Sequence, residues 1–249
     1  MSLLSLETNQ DVVTVRLTNG VTNTINPDVV REFRKVLTNI RTECRGVMFA
    51  GGDKFFSMGL NLPELLKLDR KEMTDFFCSF SDMLLEIFTL PIPTVCAAKA
   101  HCVAAGTTIL IACDYRVASI GRTFVGLNEI RLGIPVPYLS DLMLRMVAGD
   151  NRASNMLYQG EFIESANAEQ IGLLNEICTK EDVEGRAIEK LLEYSKLPAR
   201  AFAAAKANRT ETIRLRYEQF GLEKNEEFLD LWFGEEAQGL LQDAAQKFT

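Results

Sequence analysis

Pro93-Thr94-Val95-Cys96-Ala97-Ala98 is followed by Lys99-Ala100-His101-Cys102, by Val103-Ala104-Ala105-Gly106-Thr107-Thr108-Ile109-Leu110-Ile111-Ala112, and by Cys113-Asp114-Tyr115-Arg116-Val117-Ala118. The proline pair ahead of Thr94 stops a preceding helix, and the β-branched run after it predicts a strand over 94–98. Residues 103–112 are apolar on every side, which predicts a buried helix. A second strand follows over 113–119. Strand, tight turn, buried helix and strand within 27 residues describe an α/β protein whose helices pack against its sheets.

The same alternation extends outward. Val12 to Leu17 is β-branched and predicts a strand. Asn26-Pro27-Asp28 opens a helix: the asparagine caps, the proline takes the first position, and the aspartate suits the positive dipole end. Val29, Val30, Phe33, Val36, Leu37 and Ile40 then recur at helical spacing. Gly46 to Ala50 predicts a short buried strand, Pro63 to Leu68 a helix, residues 71–89 an amphipathic helix, and Leu127 to Ile134 a short helical turn ending at Pro135 and Pro137. From about residue 138 the chain is largely helical. The expected organisation is a core over residues 1–195 and a helical region over 196–249.

Composition excludes several chemistries. The chain has 249 residues, with 27 Lys and Arg against 34 Asp and Glu, a formal charge of −7, and one histidine. A multi-histidine metal site is impossible, and a Ser-His-Asp triad would have to use His101. Acid–base work therefore falls to carboxylates. The acidic balance argues against non-specific nucleic-acid binding. No apolar run approaches the roughly 20 residues of a membrane span. The start, Met1 to Thr8, lacks a signal-peptide pattern, and the end is not the S-K-L peroxisomal address. None of the six cysteines forms a C-x-x-C pair, so buried reduced thiols are expected. The expectation from these features is a cytoplasmic protein, or the mature form of an imported one.

Two segments put small residues where a helix begins: Ser57-Met58-Gly59-Leu60 and Val103-Ala104-Ala105-Gly106-Thr107. A helix start offers unpaired N–H groups, and two such ends converging would hold an oxyanion. Small residues at such places also serve tight packing alone.

The order of these segments resembles the crotonase, or enoyl-CoA hydratase/isomerase, superfamily. Phe55-Phe56-Ser57-Met58-Gly59-Leu60-Asn61-Leu62 is similar to its F-S-x-G-x-D-L segment. The run from Pro93 to Gly106 is similar to its proline-threonine strand and glycine-rich turn. Cys113-Asp114-Tyr115-Arg116 and the stretch from Phe124 to Ile134 match two further motifs. The resemblance implies a crotonase-like spiral of ββα units with an α-helical C-terminal trimerisation region. It implies an acyl-CoA thioester as substrate, no cofactor and no metal, a role in fatty acid metabolism, and assembly as a homotrimer or dimer of trimers. It also implies an oxyanion hole from the Leu60 and Ala105 N–H groups, each such donor being worth about 3 kcal/mol of barrier. Met58, Leu62, Ala104, Gly106, Thr108 and Pro137 fall at positions that line the substrate. Asn61 stands where the family usually has Asp.

The acid–base residues select among reactions. Hydratases of this superfamily resemble one another in carrying two glutamates. The first matches Thr108 here, and the second matches Glu129. One carboxylate can move a proton from C2 to C4. Leu127-Asn128-Glu129-Ile130-Arg131-Leu132-Gly133-Ile134 with Pro137 resembles the L-N-E-T-x-L-G-I-x-x-P stretch of mitochondrial-type Δ3,Δ2-enoyl-CoA isomerases. The expected reaction is isomerisation of 3-enoyl-CoA to trans-2-enoyl-CoA with Glu129 as sole shuttle. The apolar neighbours Leu127, Ile134 and Pro137 should raise its pKa. A hydratase, a hydrolase or decarboxylase of the same fold, or a non-catalytic acyl-CoA-binding member are the alternatives.

Other charged residues have plainer readings. Glu129 itself would be an exposed glutamate paired with Arg131 if it were not catalytic. Glu64, one turn after the oxyanion segment, is a second candidate acid but is expected in solvent; Asp114 is expected at a strand-start cap, His101 in a structural role, and Thr107 and Thr108 on helix carbonyls, with a water held by Thr108 as the alternative. Lys206, Arg209, Arg214 and Arg216 form a basic cluster, read as a solvated face or as a contact for CoA phosphates of an adjacent subunit. Phe228 to Phe233 is too apolar for a solvated tail.

Overall fold

The computed structural model describes residues 2–246, without the side chain of Thr42; Met1 and residues 247–249, which carry the terminal signal comparison, lie outside them. The chain opens with strands β1 (Leu4–Asn9) and β2 (Val12–Leu17) and helix α1 (Pro27–Glu43). The Asn26 side chain accepts from the Val29 N–H, and Pro27 begins the helix as its residue type requires. Three units follow, each sending one strand to each of two sheets. The first is β3 (Gly46–Ala50), β4 (Phe55–Ser57), α2 (Leu62–Leu65) and α3 (Arg70–Thr89). The second is β5 (Thr94–Ala98), β6 (His101–Val103) and α4 (Ala105–Ala112). The third is β7 (Tyr115–Ser119), β8 (Phe124–Gly126), a 3-10 turn (Glu129–Leu132) and α5 (Tyr138–Ala148).

The larger sheet has the order β1-β2-β3-β5-β7-β10 and is parallel except for β1. Its last strand is β10 (Glu176–Cys178), reached after α6 (Asp150–Gln159), β9 (Phe162–Glu164) and α7 (Ser165–Gln170). The smaller sheet has the order β4-β6-β8-β9; its first three strands are parallel and β9 runs antiparallel to β8. This is the mixed α/β spiral of ββα units expected from the sequence.

Two boundaries move. The buried helix begins at Ala105 rather than 103, because residues 101–103 pair with β4 and β8 as a strand. The helix expected over Pro63 to Leu68 closes after one turn at Leu65. Asn61 caps it, accepting from the Glu64 N–H.

The C-terminal half continues with α8 (Val183–Ser195), the 34-residue α9 (Ala199–Trp232) and α10 (Glu235–Ala245). Helix α9 spans about 50 Å at 1.5 Å per residue. It lies along α3 and α5, with Phe228 stacked on Phe77 at a centroid distance of 4.0 Å. Ile213, Tyr217, Phe228, Leu229, Trp232, Ala237 and Leu241 join the core that the sheets and α1 build. The apolar run near the C-terminus therefore packs on its own chain.

Lys206 corrects the basic cluster read from the sequence. It is buried, and its Nζ lies 2.7 Å from Asp114 Oδ2 and 3.2 Å from the Ile92 carbonyl. Asp114 also accepts from the backbone and hydroxyl of Thr94 and from Arg209. The lysine staples α9 to the strand start, so it meets neither solvent nor a ligand phosphate. Burial pulls its pKa down, and Asp114 opposes that pull. Arg214 pairs with Glu218, and Arg216 donates to the Tyr138 hydroxyl.

All six cysteines are free thiols; Cys96, Cys102 and Cys113 are buried and the other three half-buried. No helix among the described residues is long and apolar enough to cross a membrane.

Candidate active site

Three parallel strands, β4, β6 and β8, end side by side, and each hands the chain to one wall of a single cavity. After β4 comes Met58-Gly59-Leu60, after β6 Ala104-Ala105, and after β8 Leu127-Asn128-Glu129. The cavity encloses about 410 Å³ and is walled by Met58, Leu60, Leu62, Val103, Ala104 and Leu132, among others. Glu129 is the one carboxylate among the described residues that line it.

The first two segments touch. Gly59 has φ +102, a value that favours glycine, and a Cβ there would lie 2.7 Å from Ala104 Cβ. The Leu60 segment is pinned by an isolated parallel bridge to Ile25: the Ile25 N–H donates to the Gly59 carbonyl, and the Asn61 N–H to the Ile25 carbonyl. In a parallel bridge the intervening N–H, that of Leu60, faces away from the partner. On the other side, Ala104 takes φ +49 and ψ −124 as the residue ahead of α4. This is a strained conformation for a side chain with a Cβ, costing about 1–3 kcal/mol. The Ala105 N–H then stands first in the helix, where no intrahelical carbonyl is available to it. The two N–H groups thus belong to abutting segments at the cavity wall.

Glu129 opens the 3-10 turn and is 8% exposed. Burial raises its pKa to about 7, against the lesser opposing pull of its own N–H and that of Asn128. Its Oε2 is buried with no hydrogen-bond partner among the described residues. Such an oxygen is costly unless something else meets it, which makes it the group in the cavity most ready to accept a proton. Arg131 does not pair with it: that guanidinium reaches Glu161 at 3.1 Å and the Gln159 carbonyl at 2.9 Å. The reading of Glu129 as an exposed partner of Arg131 is therefore corrected.

The family model for enoyl-CoA hydratase/isomerase matches residues 7–241. The chain belongs to the enoyl-CoA hydratase/isomerase family. It is 30% identical over 190 residues to a probable enoyl-CoA hydratase of Mycobacterium avium (strain 104), covering 75% of this chain and 73% of that one. Its fold is similar to that of human mitochondrial delta3-delta2-enoyl-CoA isomerase, with a TM-score of 0.95 at 22% identity, covering 99% and 98% of the two chains. It is also similar to an enoyl-CoA hydratase from Bacillus halodurans, with a TM-score of 0.87 at 23% identity, covering 97% and 100%. Family and crotonase fold are thereby fixed, and with them an enzyme of acyl-CoA chemistry.

Within this family member, Met58, Leu60, Leu62, Ala104 and Glu129 meet at one cavity, with Ala105 next to its wall. Gly106, Thr108 and Pro137 are not among the lining residues. Gly106 serves the close approach of α4 to β4, since a Cβ there would lie 2.8 Å from the Ser57 carbonyl oxygen. Thr108 is buried, and its hydroxyl donates to the Ala105 carbonyl at 2.7 Å. Pro137 precedes α5.

Glu64 is half-buried rather than solvated: its Oε2 accepts from the side-chain amides of Asn26 at 2.8 Å and Asn61 at 3.1 Å. That clamp ties the caps of α1 and α2 together beside the Leu60 bridge. His101 is structural in part, with Nδ1 accepting the Phe124 N–H.

The sequence reading missed Phe162, Leu132, Asn128 and Ala244 as cavity walls, and saw Trp232 only as an apolar tail residue. Phe162 and Ala244 are 33 and 115 residues from Glu129, and no local pattern marks either.

Proposed function

We propose that this enzyme converts 3-enoyl-CoA to trans-2-enoyl-CoA, with Glu129 as the sole proton shuttle and acyl-CoA bound without a cofactor. The observation that carries this reading is a single buried carboxylate, with a free oxygen, in an otherwise largely apolar cavity.

The thioester carbonyl sits against the Leu60 and Ala105 N–H groups. Ionised Glu129 removes a proton from C2, and the electrons pass into the carbonyl to give a dienolate. The two N–H groups meet that charge with little reorganisation. The same carboxyl group, now protonated, delivers its proton to C4. The double bond moves from C3=C4 to C2=C3, and Glu129 returns to its starting state. A pKa near 7 suits both halves of the cycle, because a group that must take and return one proton works best near the ambient pH. Hydration needs a second group to hold or deprotonate water. The Thr108 hydroxyl, at the matching position, is committed to a helix carbonyl.

The similarity to a probable hydratase supports the second reading, 2-enoyl-CoA hydration. Parallel assays of 3-hexenoyl-CoA and crotonyl-CoA separate the two. Isomerisation is expected to dominate; comparable hydration of crotonyl-CoA would favour the hydratase. Glu129→Gln should lower isomerisation by about 10²–10⁴-fold, and retained rate would remove Glu129 from the mechanism.

In the same reading the helices after residue 195 complete the cavity within one chain, since Trp232 and Ala244 line it. Assembly as a homotrimer or a pair of trimers is supported by apolar side chains left bare on α9, Leu222 at 79% exposure and Leu231 at 49%. Mass in solution by light scattering tests it.

A further inference from the structure

The acyl cavity uses one end of strands β4, β6 and β8; their other end holds a cleft of different character. The loops that enter these three strands, with the turn after β10, line an open cleft of about 420 Å³; Lys54, Lys99, His101, Arg122 and Lys180 stand around it, and Asp53 is the one carboxylate among the described residues that line it. Four permanent cations face one acid there, in a chain whose formal charge is −7. The cleft shares no lining residue with the acyl cavity.

Local pairing does not exhaust this charge. Lys99 stands 3.3 Å from Asp53 and 3.6 Å from Glu184, and Glu184 is already engaged by Arg16 at 2.8 Å. Lys180 donates to the Asp53 backbone carbonyl. Neither Lys54 nor Arg122 forms an ion pair among the described residues. His101 is held as a fixed donor. Its Nδ1 accepts the Phe124 N–H at 3.1 Å, so the neutral ring carries its proton on Nε2. The rings of Phe55 and Phe124 pack against it, each with centroids 5.4 Å away. Burial, and after it the Arg122 charge, hold the imidazole pKa down, so the neutral ring is the form that offers this donor.

We propose that this cleft is a second binding site, separate from the acyl cavity, for a small phosphate-bearing anion. Lys54, Lys99, Arg122 and Lys180 supply charge-assisted donors, and the His101 Nε2–H supplies a directional one. The concave shape and the acidic remainder of the molecule favour a small ligand over an extended polyanion, which the surrounding negative surface would repel.

Inorganic pyrophosphate titrated into the full chain by calorimetry tests this. One site per chain is expected, weakening as salt rises. The double variant K54A/R122A should bind about tenfold more weakly or worse, each lost cation removing a charge-assisted contact. It should keep its fold by circular dichroism and its isomerase rate. Binding should persist in E129Q. Two results would overturn the proposal: no binding at millimolar pyrophosphate, or equal affinity in K54A/R122A, which would put the anion elsewhere. A change of oligomeric state in K54A/R122A without pyrophosphate binding to the parent chain would reassign this face to a contact between copies, and would overturn it as well.

Discussion

Glu129 holds its proton to about pH 7 because the side chain is buried and one oxygen has no donor. Two consequences follow at the scale of this residue. As a base it must be ionised, so kcat/KM should rise with pH through about 7 and then level off; a rate already flat from pH 5 upward would argue against this base. The stability effect has the opposite direction. A carboxyl whose pKa is raised by folding binds more protons in the folded state between its unfolded pKa and 7, so the chain loses stability as pH rises across that window. At about 1.4 kcal/mol per pH unit the loss reaches about 3 kcal/mol above pH 7. Glu129→Gln should therefore be more stable than the parent at pH 8 and nearly equal to it at pH 4, measured by urea unfolding. That Glu129 is the acid to consider was legible from its motif. Its raised pKa was expected from the apolar residues near it in sequence, whereas the cavity walls Phe162 and Trp232 were not, because they come from distant parts of the chain.

At the scale of elements, the oxyanion arrangement depends on how closely the Met58–Leu60 segment and the start of α4 approach. Gly59 and Ala104 meet there, and Gly106 lets α4 lie against Ser57. Gly59→Ala would add a Cβ 2.7 Å from Ala104 Cβ, at a φ of +102 that already disfavours it. The expected cost is about 1–3 kcal/mol of stability, with kcat falling more than KM changes, because the Leu60 N–H would be displaced from the developing charge. An unchanged kcat would mean that this segment does not supply a donor. Small residues before two helices were legible in sequence as possible helix starts. Their convergence was not, since it arises from the parallel pairing of β4 with β6 across the intervening α2, α3 and β5. The same pairing explains why the helix read from 103 begins at 105: residues 101–103 gain more from completing a three-strand ladder than from an extra half-turn.

For the whole molecule, α9 and α10 close the cavity that the spiral begins. Lys206 shows how α9 is attached: a buried ammonium on Asp114, the Ile92 carbonyl and Thr94. Lys206→Ala would leave Asp114 with Thr94 and Arg209 as partners, and losing one charge-assisted bond of the buried group costs about 1.5–3 kcal/mol. Thermal unfolding should show that loss, and activity at moderate temperature should persist where the fold persists, since Lys206 is not in the cavity. A stability unchanged by Lys206→Ala would show that apolar packing alone holds α9.

What the sequence determined by itself was local and periodic: capped helices, β-branched strands, the order of the ββα units, the single histidine that turned attention to carboxylates, and Glu129 within its motif. Tertiary structure decided what depends on distance in space. It brought three strand ends to one cavity, buried Glu129 and left its Oε2 unpaired, and turned Lys206 from an apparent surface charge into an internal staple. It also gathered cations from four separate loops into one cleft. Helix and strand signals reside in neighbouring residues, whereas desolvation and charge pairing are set by whatever the fold places alongside.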